Sequence, residues 1–411
     1  MEFHEQVLAN GLEIVAECNP AAHSSAMAFF VKTGARDETA AVAGVSHFLE
    51  HMMFKGTARR SADDVNREFD QMGADYNAGT GEELTVYHAA VLPEYQDRAV
   101  DLLADLLRPA LRPSDFDLEK QVILEEIQMY EDQPPFGADD KARAMHFGSH
   151  PLGHSVLGTA ESIGGLSVEA MRDYFHRRYS PANITLAAAG RIDFPRLVAA
   201  AERQCDWPAV PAERVIQPCV AQDGFRALRK ESATQQYLLR LSSGPAAEDA
   251  DRYAAKLLAT VLGDDSGSRL YWELVDPGLA EQVSLSHCEY QGAGTMITYM
   301  SCDPDQAAGN LERIADVYGK VEADGVTAAE VDQAKNKVRS RIVLSSERPR
   351  GRLFVLGTDW IYRREYRPTE ADLAAVAALT ADDLTAVLAK YPLTRSTTVT
   401  IGPLAKLSAA P

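Results

Sequence analysis

The chain has 411 residues, of which 46% are hydrophobic and 25% are charged, and its formal net charge is −19. This length exceeds what one ordinary hydrophobic core supports, so two or more domains are expected. The negative charge argues against nucleic acid and anionic membranes as partners. The sequence contains no run of about 18 apolar residues, so no membrane span is predicted. The five cysteines form no Cys-x-x-Cys motif and the N-terminus lacks a signal-peptide pattern, so we expect reduced thiols and a cytoplasmic location.

Strands and helices are mixed along the chain. Asn10-Gly11 between two apolar runs indicates a β-hairpin over 6–17, and Ser61 is a plausible N-cap for the helix that follows it. By residue type and hydrophobic period, further strands are predicted over 25–32, 75–80, 83–92, 183–190, 234–242, 281–289 and 294–302, and helices over 61–72, 93–107, 115–132, 167–177, 251–262 and 327–345.

The most specific chemistry lies in His47-x-x-Glu50-His51, inside a predicted helix between Gly44 and Phe54. Two imidazoles at i and i+4 on a helix converge on one zinc ion. A carboxylate beside the second histidine suits a general base that acts on bound water, and this order is that of the inverzincins. The alternative is a surface helix that carries these residues by chance. The opposite, buried face is predicted to consist of Val45, Phe48, Leu49, Met52 and Met53.

The helix predicted over 115–132, with Ser114 as its N-cap, carries the carboxylates that would complete this site. Glu119 and Glu126 fall near the middle of its apolar face, where a carboxylate is costly unless it is paired or binds a metal. Glu126 is the candidate third zinc ligand, and Glu119 is the candidate partner that orients a ligating histidine or a water. Alternatively, both carboxylates reach water or an arginine at the domain edge. The predicted apolar face comprises Phe116, Leu118, Val122, Ile123, Ile127, Met129 and Tyr130.

Two stretches show little periodicity. Residues 133–160 are broken by proline and glycine, so His146, His150 and His154 are interpreted as ordinary loop histidines. Residues 205–222 also contain several prolines and predict an interdomain linker.

The second half of the chain repeats the first. Gly244 answers Gly34, and the helix that begins at Thr327 answers the one that begins at Ser114, which indicates a duplicated domain. We therefore expect an α+β fold of two homologous domains, each a mostly antiparallel sheet with helices packed on one face. The predicted limits are 1–207 for the zinc-binding catalytic domain, 208–222 for the linker and 223–411 for the C-terminal domain. Metal binding is not duplicated, since His47, Glu50, His51 and Glu126 correspond to Leu257, Thr260, Val261 and Arg339.

With these motifs, the chain resembles the pitrilysin, mitochondrial processing peptidase and insulin-degrading enzyme family of zinc metallopeptidases, in its short bacterial type. The resemblance implies the fold of the processing peptidases and hydrolysis of peptide bonds. The matching stretches cover nearly the whole chain and are Gly44–Gly56, Tyr76–Thr80 with Glu83, Glu119–Ile127, His150–Gly153 with Leu157–Thr159, Tyr179–Asn183, Ser268–Leu270 and Gly278–Ala280.

The resemblance assigns roles to individual residues. It implies that His47, His51 and Glu126 bind one Zn²⁺ per chain. Glu50 would be the general base, and Glu119 would support the site. Two chains, identical or related, would enclose a chamber that admits unfolded peptides. The substrate backbone would pair by β-addition with the strand around Asn77, Ala78, Gly79 and Thr80.

The second half departs from the family pattern. Active relatives carry an arginine and, seven residues later, a tyrosine that bind substrate and steady the oxyanion, and this chain has Leu274 and Glu281 at those positions. Neither side chain donates hydrogen bonds in the same way, so this chain is expected to be the zinc-bearing subunit of a dimer. The alternative is a non-catalytic binding or scaffold subunit that retains the zinc site. A zinc hydrolase of non-peptide substrates has no positive feature here, and manganese or cobalt would also suit the ligands.

Overall fold

The computed structural model describes residues 1–135, 137–404 and 406–408. The strands are β1 Glu2–Val7, β2 Glu13–Cys18, β3 Ser25–Val31, β4 Asp75–Thr80, β5 Thr85–Val91, β6 Ile184–Gly190, β7 Gly224–Arg229, β8 Gln236–Gly244, β9 Gln282–Tyr290, β10 Ala293–Cys302 and β11 Thr397–Gly402. The α-helices are α1 Val45–Met53, α2 Ala62–Met72, α3 Gln96–Leu106, α4 Pro113–Asp132, α5 Ala138–Phe147, α6 Ala160–Gly165, α7 Val168–Arg178, α8 Phe194–Gln204, α9 Arg252–Gly263, α10 Ala307–Asp324, α11 Ala328–Ser346, α12 Pro349–Arg363, α13 Thr369–Ala378 and α14 Ala381–Lys390.

The chain divides into two compact units. Unit 1 consists of Met1–Ile127, His154–Val215 and Leu344–Arg367, and unit 2 consists of Gln128–Gly153, Ile216–Val343 and Pro368–Pro411. The domains predicted from the sequence are continuous along the chain. Each unit of the structure instead includes one segment from the other half of the chain. Those limits remain a prediction about the internal repeat.

The sheet of unit 1 has the strand order β1-β2-β6-β3-β5-β4, and its pairs are antiparallel except β2 with β6. The central strand β3 is buried along its whole length because both faces of the sheet are covered. Met27 and Phe29 face the main core with α1 and α3, whereas Ala28 and Phe30 face α12. Side chains alternate between the two faces of a strand, so β3 contributes to two separate cores. Strand β4 forms one edge of this sheet.

The sheet of unit 2 has the strand order β7-β11-β8-β10-β9, and only β7 with β11 is parallel. Helices α9, α10, α11 and α14 form the main core on one face. On the other face, Ala138 and Ala142 of α5 pack against Leu239 and Val399. Each sheet is thus mostly antiparallel with helices packed on it, and the predicted α+β fold is confirmed. In each unit, the segment from the other half of the chain provides a helix on the second face of the sheet, α12 in unit 1 and α5 in unit 2.

Two local expectations were wrong. Helix α4 begins at Pro113, whose fixed φ suits the first helical turn, so Ser114 lies inside the helix rather than capping it. Residues 138–147 form α5 rather than a loop, because the helix buries Ala138 and Ala142 on the sheet. His146 therefore lies on a helix.

None of the helices in the described part of the chain is long and apolar enough to cross a bilayer.

Candidate metal centre

One face of helix α1 packs in the core of unit 1, so the motif residues His47, Glu50 and His51 lie on the opposite face. The predicted apolar residues of α1 are all buried. The helix starts after Gly44, whose φ of 87° favours glycine, and a Cβ there would lie 2.5 Å from the carbonyl oxygen of Leu157. The buried carboxylate of Glu38 accepts hydrogen bonds from the backbone N–H groups of Gly44 (2.6 Å) and Ser46 (2.7 Å). These contacts hold the first turn of α1, and with it the position of His47.

Helix α4 packs against α1 with a narrower face than the sequence predicted. Phe116, Glu119, Ile123 and Ile127 are buried, and Phe116 stacks on Phe48 with ring centroids 4.8 Å apart. The prediction was wrong for three apolar residues, since the exposed fractions are 65% for Leu118, 42% for Val122 and 42% for Met129. Glu119 is therefore buried, whereas Glu126 is half-buried and faces the histidines.

His47, His51 and Glu126 form the one group of potential metal-binding side chains found among the described residues, with ligand atoms within 4.8 Å of one another. Oε2 of Glu126 lies 3.8 Å from Nε2 of His47 and 3.8 Å from Nε2 of His51. Ligands of a tetrahedral zinc ion lie roughly 3.3 Å apart. Two imidazoles and one carboxylate at these separations fit zinc and leave a fourth position for water.

The two histidines have different environments. Burial, and then the neighbouring His51, lower the pKa of His47 to about 4, so this imidazole is neutral at pH 7. Burial by itself lowers the pKa of His51, but the hydrogen bond and charge of Glu119 outweigh it and leave that pKa above its ordinary value. No partner of Nδ1 of His47 was found in the described ranges. Glu119 is thus the polar anchor of one histidine only.

Glu119 connects His51 to a lysine that the sequence did not single out. Its Oε1 lies 2.9 Å from Nδ1 of His51, and its Oε2 forms an ion pair with Lys55. Burial raises the pKa of Glu119, but the hydrogen bonds from His51 and Lys55 outweigh this effect and hold the pKa below its usual range. A charged carboxylate at this position orients the ring of His51 with Nε2 directed towards Glu126. Lys55 lies beyond the C-terminal end of α1 and its partner is on a separate helix, so no local spacing indicated this contact.

Glu50 lies beside the cluster and contacts the strand predicted to bind substrate. Oγ1 of Thr80 donates a hydrogen bond to Oε2 of Glu50 over 2.6 Å. Burial raises the pKa of Glu50, and the hydrogen bond from Thr80 offsets part of that rise. Asn77 and Gly79 point outwards on β4, whereas Ala78 and Thr80 are half-buried. The strand therefore offers an open edge together with one side chain directed at Glu50.

The motif residue Glu83 lies in a buried ion-pair network rather than at the metal cluster. Nη1 of Arg36 donates to Oε1 of Glu83 over 2.6 Å. Arg214 contacts Asp37 over 2.6 Å and Glu83 over 3.6 Å. These side chains are at most 3% exposed, and buried ion pairs of this kind are costly to break. The network fixes the turn before β5 to the turn that follows β3.

In unit 2, the positions that correspond to the two motif histidines hold apolar residues, Leu257 and Val261. Leu257 and Val261 of α9 are buried in the core of the unit. Leu274 is fully buried within a short π-helix, Tyr271–Val275. Glu281 is exposed and hydrogen-bonded to Gln235. Neither of the last two residues is a hydrogen-bond donor for an oxyanion.

Comparison with known proteins identifies the family. Residues 13–160 match the family model described as insulinase, peptidase family M16, and residues 165–338 match the model described as peptidase M16 inactive domain. An uncharacterized zinc protease of Mycobacterium tuberculosis is 34% identical over 94% of this chain and 90% of its own length. The chain belongs to peptidase family M16.

Other M16 proteins and solved structures agree. An uncharacterized zinc protease of Bacillus subtilis, YmxG, is 32% identical over 82% of this chain and 83% of its own length. A protease from Helicobacter pylori has a similar structure, with a TM-score of 0.91 at 21% identity over 97% of this chain and 99% of that one. A structure titled peptidase M16 inactive domain from Pseudomonas fluorescens gives 0.90 at 20% identity over the full length of both chains. At such identities the structures show the fold alone.

Proposed function

We propose that this M16 protein is a zinc-dependent endopeptidase that hydrolyses unfolded peptides. The observation that carries the proposal is the convergence of His47, His51 and Glu126, with Glu50 beside them. Zinc, bound once per chain by these three ligands, would supply a Lewis acid that polarises the scissile carbonyl and its attacking water. The relatives named as zinc proteases support this choice of metal.

The residues of the chain then have separate tasks. Glu50 accepts a proton from the attacking water and passes it to the leaving amine. Glu119 orients His51 through the 2.9 Å hydrogen bond. The open edge of β4, from Asn77 to Thr80, pairs with the substrate backbone. Unfolded peptides suit this mode because their backbone groups are available for pairing.

A second subunit is part of the proposal. Leu274 and Glu281 leave this chain without the arginine and tyrosine that the family resemblance calls for. A partner chain, identical or related, would close the chamber, and a related one would contribute that pair. The cytoplasmic location expected from the cysteine pattern belongs to the same proposal. A pull-down from the native host that recovers only this polypeptide, together with full activity of the pure protein, would contradict a heteromeric enzyme.

A binding or scaffold subunit is the second candidate, and Leu274 and Glu281 are the features that favour it. The test is cleavage of a quenched fluorescent peptide library, with zinc, manganese and cobalt quantified in the same preparation. Glu50→Gln should retain its metal and lose turnover, while Glu125→Gln, an exposed neighbour of Glu126 on α4, serves as the control. Wild-type protein that holds zinc yet cleaves nothing, alone or with a related subunit, would favour the scaffold.

A further inference from the structure

Thr80, the last residue of β4, has its hydroxyl proton committed to Glu50. Its Oγ1 lies 2.6 Å from Oε2 of Glu50 and 3.4 Å from Oγ1 of Thr85. A hydroxyl has a single proton, and a carboxylate is the stronger acceptor. Thr85 donates its own proton to the carbonyl oxygen of Thr33 over 3.0 Å. The shorter contact, to Glu50, is therefore the one that Thr80 makes as a donor.

The carboxylate of Glu50 accepts this hydrogen bond and is also stabilised by a hydrogen bond from the backbone of the same residue, Thr80. Within the described part of the chain, Thr80 is the only side chain that donates a hydrogen bond to it. A glutamate side chain has several rotamers of similar energy, and ordering it costs conformational entropy. A charge-assisted hydrogen bond is strong enough to select one of these rotamers.

The backbone that carries Thr80 is held from two sides. The N–H of Gly81 donates to the carbonyl oxygen of Leu84 over 2.8 Å, which closes the turn between β4 and β5. The N–H of Arg36 donates to the carbonyl oxygen of Glu82 over 2.8 Å, and the side chain of Arg36 holds Glu83 in the buried ion pair. This anchoring gives the motif residue Glu83 a role in holding the turn that carries Thr80.

We propose that Thr80 is a positioning residue that directs the carboxylate of Glu50 towards the zinc-bound site, and that the buried Arg36–Glu83 pair holds its turn in place. This inference rests on the proposed function. Because Thr80 belongs to the strand whose open edge would pair with substrate, pairing and the direction of Glu50 are mechanically linked. Thr80 acts through Glu50 and does not need to touch the scissile bond.

The test compares Thr80→Val, which has the same shape without a donor, with Thr80→Ser, which keeps the hydroxyl. Tyr76→Phe is the matched control, since it removes another hydroxyl of β4, one that donates to Asn66 over 3.2 Å. Three quantities are measured on each zinc-loaded protein: the zinc dissociation constant, the affinity for a peptide hydroxamate, and kcat and KM for peptide cleavage. A hydroxamate bound to zinc presents a proton to a neighbouring carboxylate, so its affinity reports the direction of Glu50 without turnover.

For Thr80→Val we expect a kcat lower by about 10- to 100-fold, as found when a reacting group is misplaced by about 1 Å, and a KM within about twofold. Hydroxamate affinity should fall by roughly tenfold with unchanged zinc affinity, and Thr80→Ser should restore both values. A rise in KM with unchanged kcat would assign Thr80 to substrate binding alone, and a loss of zinc would assign it to the metal site. Either result overturns the proposal, as does unchanged hydroxamate affinity. If no variant cleaves peptide, alone or with a related subunit, but the hydroxamate pattern holds, the positioning role stands and the proposed function fails.

Discussion

The outer partner of His51 offers the sharpest test of the metal centre. Glu119 is 4% exposed and accepts a hydrogen bond from Nδ1 of His51 over 2.9 Å, while its other oxygen pairs with Lys55. Glu119→Gln preserves the size of the side chain and one acceptor oxygen, but it removes the negative charge. We expect zinc to bind about 10- to 100-fold more weakly. That range corresponds to about 1.4–2.7 kcal/mol, similar to the contribution of one charge-assisted hydrogen bond, about 1.5–3 kcal/mol.

The assay is competition for zinc between the protein and a fluorescent chelator at pH 7.5. Glu125→Gln is the matched control, because it changes the same side chain on the exposed side of α4. Circular dichroism of each metal-free protein establishes that the variants are folded. If Glu119→Gln binds zinc as tightly as Glu125→Gln does, the negative charge of Glu119 contributes nothing to zinc binding, which would contradict this prediction.

Three further predictions concern stability. Ile123→Ala should destabilise the protein by about 2–5 kcal/mol in denaturant titrations because Ile123 is fully buried, whereas the exposed Val122→Ala should change stability by less than about 0.5 kcal/mol. Burial lowers the pKa of His146 to about 4. As pH falls, the unfolded state therefore binds the proton before the folded state does. The protein should lose at most about 3 kcal/mol of stability between about pH 6.5 and about pH 4. His146→Phe should abolish that loss of stability, whereas His23→Phe, at an exposed position, should not. If the stability of the two variants depends on pH in the same way, protonation of His146 is not the cause of the loss. Saturating zinc should raise the midpoint of thermal unfolding, and an equal rise in a His47→Ala variant would show that the metal binds elsewhere.

Local pattern determined much of the fold. The Asn10-Gly11 hairpin, the N-cap at Ser61 and the strand β4 all appear where the sequence predicts them. Turn chemistry and capping depend on neighbouring residues alone, so one sequence contains the information. The same holds for α1, where helical spacing divides the buried residues from His47, Glu50 and His51.

The packing of helices on other elements determined which apolar residues are buried, which hydrophobic periodicity by itself does not specify. The sequence gives helix α4 one broad apolar face, and only the part of it that meets Phe48 is buried, which leaves Leu118 and Val122 exposed. The helices α5 and α12 cover the second faces of the two sheets from segments distant in sequence, which no local pattern in those segments indicates.

For the candidate site, the sequence predicts the chemistry, and the tertiary structure determines the contacts. The pattern His47-x-x-Glu50-His51 already predicts a metal-binding helix, because the spacing that converges two imidazoles is a property of the helix itself. The hydrogen bond from Thr80 to Glu50 and the ion pair of Lys55 with Glu119 are different. Each joins residues on separate elements, and their distance depends on how strand and helix pack. That packing is set by the whole core of unit 1, which only the folded chain assembles.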